Sequence, residues 1–175
     1  MNLIIDHGKN HVIDLKTLKA HLRIDHDHED DYLKNIIEMA TEILENSIGE
    51  SMLQKIYKYT YYNDEYFSTK KIELPTRHVV EVKSVRKSSK NDKRELPYSV
   101  QNFRDKTNVI INDTKYPVEI QYLAGMTNNR DELPKDLKYA VLQIAKSIYD
   151  CSDNDIFESK YMTHIMNSHR NFSIN

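Results

Sequence analysis

The stretch Leu15–Leu53 constrains the fold most, because it contains a short helical pattern, a polar break and then a long amphipathic pattern. In the longer part, apolar residues recur at the spacing of one helix face, widened by Tyr32, Met39 and Ile43, while most intervening positions are polar. The apolar stripe consists of Leu33, Ile36, Ile37, Ala40, Leu44 and Ile48. Gly49 follows the last of them, where a glycine commonly ends a helix. We therefore predict a helix over about 28–48.

Acidic residues and a proline mark where the helices begin. Asp14 is placed to cap a short helix over about 15–22, and Asp27 to cap the long one. Pro134 stands at a natural first helical position. The pattern after it predicts a second long helix over about 134–150, with an apolar stripe of Leu137, Ala140, Val141, Ile144, Ala145 and Ile148.

The segment between the long helices changes to a period of two. Residues 53–125 contain short β-branched and tyrosine-rich runs separated by turn signals, which predict four to six short strands. The expected fold class is α+β: a short N-terminal helix, a long amphipathic helix, a small antiparallel β-sheet or hairpin insert, a second long helix and a short tail. We expect a single domain over 1–150 and a C-terminal tail over 151–175 that carries a short helix near 157–166.

Composition excludes several classes of protein. The 175 residues carry a net charge of −2, so the whole molecule has no general attraction for nucleic acid. The single cysteine, Cys151, cannot form an internal disulfide. No apolar run approaches the length of a membrane span, and the first residues lack the pattern of a signal peptide, so we expect a soluble cytoplasmic chain.

The acidic segment Asp25–Asp31 is a candidate metal site, because His26 and His28 alternate with carboxylates. A helix N-terminus attracts negative charge in any case, and no further ligand pair completes a tetrahedral set. We favour a capping cluster over a metal site. No catalytic motif or cofactor-binding motif is present, so we do not expect an enzyme.

Two surface patterns suggest binding. A basic run on a predicted hairpin over 83–94 could contact phosphate; its candidate residues are Arg86, Lys87, Lys90, Lys93 and Arg94. This run supports an alternative function, a small nucleic-acid-binding regulatory module. Alternating tyrosines, Tyr57, Tyr59 and Tyr61, fit either a half-buried strand or a subunit interface.

The order of these signals resembles the head–tail connector (adaptor) family of long-tailed phages and prophages. The opening similarity lies in the helical region, at Leu18, Leu22, Arg23, Asp30, Leu33, Ile36, Ile37, Ala40, Glu45, Gly49 and Leu53. Further similar segments follow in order: IELPTRHVVEVKSV (72–85), VEIQYLAGM (118–126), LPKDLKYAVLQIAKSIYD (133–150) and MNSHR (166–170). His78 and Met126 depart from the family pattern, which has proline and an aromatic residue at these positions.

The resemblance implies a structural virion protein without catalysis or a cofactor. Such connectors form a ring, generally dodecameric in the particle, which joins the portal to a tail-side stopper or terminator protein and continues the DNA channel. The resemblance places the protein at the head–tail interface of the virion, and in the bacterial host cytoplasm before assembly. DNA passes without sequence readout, no membrane is involved, and the isolated chain can be monomeric. The portal contact is expected on the C-terminal segment, at Tyr161, Ile165, Met166 and Arg170.

Overall fold

The chain forms two compact units in a computed structural model, which describes residues 2–6, 10–62, 67–88, 94–103, 106–114, 117–152 and 159–170. The β unit comprises Met1–Gly8 and Gln54–Met126, and the helical unit comprises Lys9–Leu53 and Thr127–Asn175. The chain therefore passes between the two units three times. No helix in the described part is both long enough and apolar enough to cross a membrane.

The helical unit is built from four helices: α1 (Leu15–Leu22), α2 (Asp30–Ile48), α3 (Lys135–Tyr149) and α4 (Lys160–His169), with a 3₁₀ turn at Arg130–Glu132 before α3. The long helices α2 and α3 pack together, and α4 packs on both. The predicted apolar stripes supply the buried side chains. Two side chains of α4, Met162 and Ile165, are also buried.

Local signals in the sequence account for some of the helix ends. Asp14 caps α1 as predicted, since its side chain accepts a hydrogen bond from the Thr17 amide at 2.7 Å. Gly49 ends α2 in the left-handed region, with φ of 75°. In contrast, the predicted cap at Asp27 is wrong. Helix α2 begins at Asp30 after Glu29, which makes no side-chain capping bond, and Asp27 pairs instead with Lys19 of α1.

The segment 54–126 leaves the helical unit after Leu53 and re-enters it at Thr127, and these two residues lie next to each other. Leu53 and Thr127 form an isolated parallel β-bridge, and the Thr127 amide donates to the carbonyl oxygen of Met52 at 3.3 Å. Glu45, buried in the last turns of α2, accepts the Met52 amide at 2.9 Å. The two ends of the segment 54–126 are thus joined to each other and to α2.

The β unit contains seven described strands: β1 (Asn2–Asp6), β2 (Lys55–Tyr61), β3 (Phe67–Glu73), β4 (Val79–Lys87), β5 (Tyr98–Asn102), β6 (Thr107–Thr114) and β7 (Val118–Ala124). They form two antiparallel sheets, one of order β1-β2-β7-β4 and one of order β3-β6-β5. Strand β7 alternates strictly between buried and half-buried residues, as expected for a strand between two neighbours.

One apolar cluster joins the two sheets. It contains Tyr57, Ile72, Leu74, Val85, Val109, Ile111, Val118, Ile120, Tyr122 and Ala124. The α+β class is therefore confirmed, but the expected small sheet of four to six strands is instead a pair of sheets around one core.

His78 occupies the position where the family pattern has a proline. Its φ of 47° lies in the left-handed region. A proline ring fixes φ near −65°, so this turn cannot accept proline in the conformation observed. The absence of proline here thus permits the left-handed turn that is observed.

Candidate assembly surfaces

The three tyrosines of β2 lie against the core of the β unit. Tyr57 is 6% exposed and stacks on Tyr122, with 5.5 Å between ring centroids. Tyr59 and Tyr61 are half-buried against the same cluster. Tyr57 therefore has little side-chain surface left for a second copy, while a subunit contact through Tyr59 and Tyr61 stays a prediction.

The basic run on the β4 side is partly neutralised. A guanidinium nitrogen of Arg86 lies 2.9 Å from a carboxylate oxygen of Glu95, and both residues are exposed. Arg94 is exposed and Lys87 half-buried. Lys90 and Lys93 lie outside the described residues. One charge of the run is thus paired with an acidic residue that follows the run in the sequence.

The four residues predicted to meet the portal do not share one face of α4. Ile165 is 2% exposed and belongs to the core of the helical unit, whereas Tyr161 is 53% exposed. Met166 is half-buried and Arg170 exposed. Residues five positions apart are separated by about 140° around a helix, so Tyr161 and Met166 flank the buried side in different directions.

Polar and aromatic contacts hold α4 to α3. Nε2 of His169 lies 2.8 Å from a carboxylate oxygen of Asp136. Burial raises the pKa of Asp136, but hydrogen bonds from His169 and from the Leu137 amide outweigh that effect and lower the pKa below its ordinary value. The Tyr161 ring meets the Tyr139 ring edge-on, with 5.6 Å between centroids. Both rings remain largely exposed, so this pair is an aromatic patch on the surface.

His26 and His28 lie exposed before α2, with 5.6 Å between their ring centroids. Within the described ranges, no group of three or more histidine, cysteine or acidic residues could hold a metal ion. The neighbouring carboxylates face Lys19, whose ammonium lies 2.8 Å from Asp30 and also contacts Asp27. The hydrogen bond and charge of Lys19 lower the pKa of Asp27. The acidic segment thus joins α1 to α2 through a lysine.

The two units differ in charge, which the small net charge of the chain conceals. The β unit has 14 basic and 10 acidic residues, a net of +4. The helical unit has 11 basic and 17 acidic residues, a net of −6. The sequence did not predict this split, because the two opposite charges largely cancel in the net charge of the whole chain.

Sequence reasoning also missed several exposed apolar side chains. Met39 of α2 is 51% exposed and Phe103, after β5, is 52% exposed. The Lys71 ammonium lies over the Phe103 ring, 5.2 Å from its centroid. The prediction that Met39 widens the buried stripe of α2 is wrong, because Met39 lies about 120° around the helix from Leu33, outside the buried face.

Comparison with known proteins gives a consistent result. The family model described as Phage gp6-like head-tail connector protein matches residues 12–174. The chain is similar to a solved structure of the "Neck of empty GTA particle computed with C6 symmetry", with 15% identity, a TM-score of 0.80 and coverage of 100% of this chain and 97% of that chain.

Two further structures have the same fold. The "Virion of native gene transfer agent (GTA) particle" matches with 16% identity and a TM-score of 0.78, covering 100% of this chain and 97% of that chain. The "Neck of native GTA particle computed with C12 symmetry" matches with 16% identity and a TM-score of 0.70, covering 99% and 97%. No curated protein matches the chain.

Proposed function

This chain belongs to the phage gp6-like head-tail connector family, and we propose that it assembles into a closed ring at the neck of a phage or prophage particle. Members of this family are structural proteins and not enzymes. The observation that carries the proposal is the family match over residues 12–174, together with a fold likeness that covers the whole chain.

The symmetry of the similar neck structures supports a ring, in addition to the family match. Neck structures with this fold have been computed with C6 and C12 symmetry. A ring of identical subunits needs two different surfaces on each subunit that meet head to tail, and the rotation between subunits must close. We propose a ring of twelve subunits that completes on the portal, so the isolated chain can be a monomer.

The ring would join the portal on one side to a stopper or terminator protein on the tail side, and its centre would continue the DNA channel. A channel through which DNA slides should avoid strong basic adhesion, because each phosphate contact adds affinity. The Arg86–Glu95 pair fits that requirement, because it neutralises one charge of the basic run. We place the ring at the head–tail interface of the virion, and its subunits in the host cytoplasm before assembly.

Contact with the portal is proposed through the exposed parts of α4 and the residue that follows it. Replacing Tyr161, Met166 or Arg170 with alanine should weaken binding to purified portal rings by about 5- to 30-fold for any residue central to the contact. Asn167→Ala is the matched control, because Asn167 is exposed on the same helix. Co-sedimentation with portal rings measures the affinity. Binding unchanged in all three variants would place the portal contact elsewhere.

The alternative function predicts a different result with DNA. A nucleic-acid-binding module that used the 83–94 hairpin would retain duplex DNA at about 50 mM salt, and its affinity would fall steeply as salt increases. A connector should give little or no gel shift under the same conditions. Retention of DNA that is lost on Arg86→Ala would favour the alternative.

We also propose that the two units behave as one domain over 1–150, with 151–175 as the tail. Three passages of the chain between the units should couple their unfolding. Urea denaturation followed by far-ultraviolet circular dichroism and by tyrosine fluorescence should then give coincident transitions. Two separate transitions would contradict the single domain.

A further inference from the structure

Strand β3 carries two adjacent lysines, Lys70 and Lys71. Three other basic residues of the unit have acidic partners: Lys58 lies 2.7 Å from Glu119, Arg86 lies 2.9 Å from Glu95, and Lys106 lies 3.2 Å from Glu73. Among the described contacts, Lys70 and Lys71 instead lie over aromatic rings, those of Tyr61 and Phe103. A ring face attracts a cation without cancelling its charge.

Lys71 is the more available of the two lysines. Adjacent residues of a strand point to opposite faces, and Ile72 on the face shared with Lys70 lies in the core of the unit. Lys71 is exposed and pairs in register with Ile110 of β6, which is half-buried. With the exposed ring of Phe103, these residues form a basic patch with an apolar centre: Lys71, Phe103 and Ile110.

The helical unit carries a counterpart of opposite sign. Most of its carboxylates already have partners, but Glu42 is exposed and has no ion-pair or hydrogen-bond partner among the described residues. Glu38 has only a 3.9 Å approach from His11 and is 65% exposed. Glu38, Met39 and Glu42 lie within about 100° of one another around α2, on the side away from its buried stripe. They form an acidic patch around an exposed apolar side chain.

We infer that the basic patch of one copy docks on the acidic patch of the next copy around the ring. Each patch has an apolar centre, Phe103 on one and Met39 on the other, flanked by uncompensated charge of opposite sign. That combination suits a polar-rimmed interface, and opposite potentials select the pairing of unlike surfaces. The two patches lie on different parts of one subunit, as a head-to-tail contact requires. The inference rests on the proposed ring and names the surfaces that close it.

Disulfide trapping tests the contact directly, even if the ring forms only transiently. Cys151, the single cysteine, is first replaced with alanine. Full-length Met39→Cys and Phe103→Cys variants are then mixed and oxidised. We expect dimers from the mixture, none from either variant alone, and a ladder of linked subunits from a chain that carries both substitutions. Tyr62→Cys replaces Phe103→Cys in the control, because Tyr62 is an exposed aromatic residue elsewhere on the β unit.

Charge exchange tests the electrostatic part of the contact. We expect one reversed charge to lower the dimer yield by about two- to five-fold, which is the effect of losing one exposed ion pair. The reversed charge is Glu42→Lys on the Met39→Cys chain, or Lys71→Glu on the Phe103→Cys chain. Combining both reversed charges in one mixture should restore the yield.

The outcomes separate this inference from the ring itself, whose formation is measured by native mass spectrometry with portal rings added. If rings form but the Met39→Cys variant links no better to Phe103→Cys than to Tyr62→Cys, the inference is wrong and the proposed ring is unaffected. Absence of rings would overturn both. If Lys71→Glu leaves the rings intact but abolishes DNA retention, the lysine faces nucleic acid and the inference is wrong.

Discussion

Replacing Ile165 with alanine distinguishes two roles for this side chain. The family resemblance places it at the portal contact, whereas the structure buries it to 2% exposure beside Met162. The substitution removes three carbon groups, worth about 2.4 kcal/mol in transfer free energy at about 0.8 kcal/mol each. The cavity that remains adds to this loss, so we expect the free energy of unfolding to fall by about 3 kcal/mol.

Urea denaturation of the isolated subunit, followed by circular dichroism, measures the change. The slope of free energy against urea should stay constant, and the melting temperature should fall by about 6–12 °C, since each 1 kcal/mol moves a chain of this size by about 2–4 °C. Asn167→Ala on the exposed side of α4 should change stability by less than about 0.5 kcal/mol. If Ile165→Ala is as stable as this control but fails to bind portal rings, the side chain acts at the surface and the packing argument is refuted.

Two further predictions concern the ends of helices. Asp14→Ala should lower the free energy of unfolding by about 1 kcal/mol, because the Thr17 amide loses its acceptor; Asp14→Asn, which can still cap, should lose less in the same urea titration. The pKa of Asp136 is lower in the folded chain than its ordinary value of 3.8. Asp136 therefore stabilises the fold above pH 3.8, and this stabilisation is lost as pH falls through the lower, folded pKa. Asp136→Asn should therefore flatten the decline of melting temperature below about pH 4, as measured by thermal melts across that pH range.

Local patterns in the sequence predicted the helical unit well. The stripe from Leu33 to Ile48 is long enough that only a helix satisfies its period, and Asp14 and Gly49 act within one turn of their own positions. The cap at Asp27 could not be predicted in this way. Its carboxylate is drawn to Lys19, eight residues earlier on another helix, and that contact exists only after α1 and α2 have packed.

The second sheet escaped prediction for a related reason. Every residue of β5 (Tyr98–Asn102) is exposed, so its sequence has no alternation between buried and exposed positions. Its strand conformation comes from pairing with β6, a contact that the local sequence does not encode. The candidate surfaces follow the same rule: the Tyr57 alternation correctly indicated a strand, but which of its faces meets the core depends on β7 and the second sheet.

The bridge between Leu53 and Thr127 bears on how such a chain can diversify. Because the segment 54–126 leaves and re-enters the helical unit at neighbouring points, changes in its length alter neither the order of α2 and α3 nor the closure between them. Closure entropy also grows only slowly with the length of an excursion. Loops within the segment 54–126 can therefore be lengthened or trimmed while the helices keep their partners, and exchange of the whole segment must preserve the pairing of β2 with β1. Chimaeras that exchange this segment between relatives should be joined between residues 53 and 54 and between residues 126 and 127.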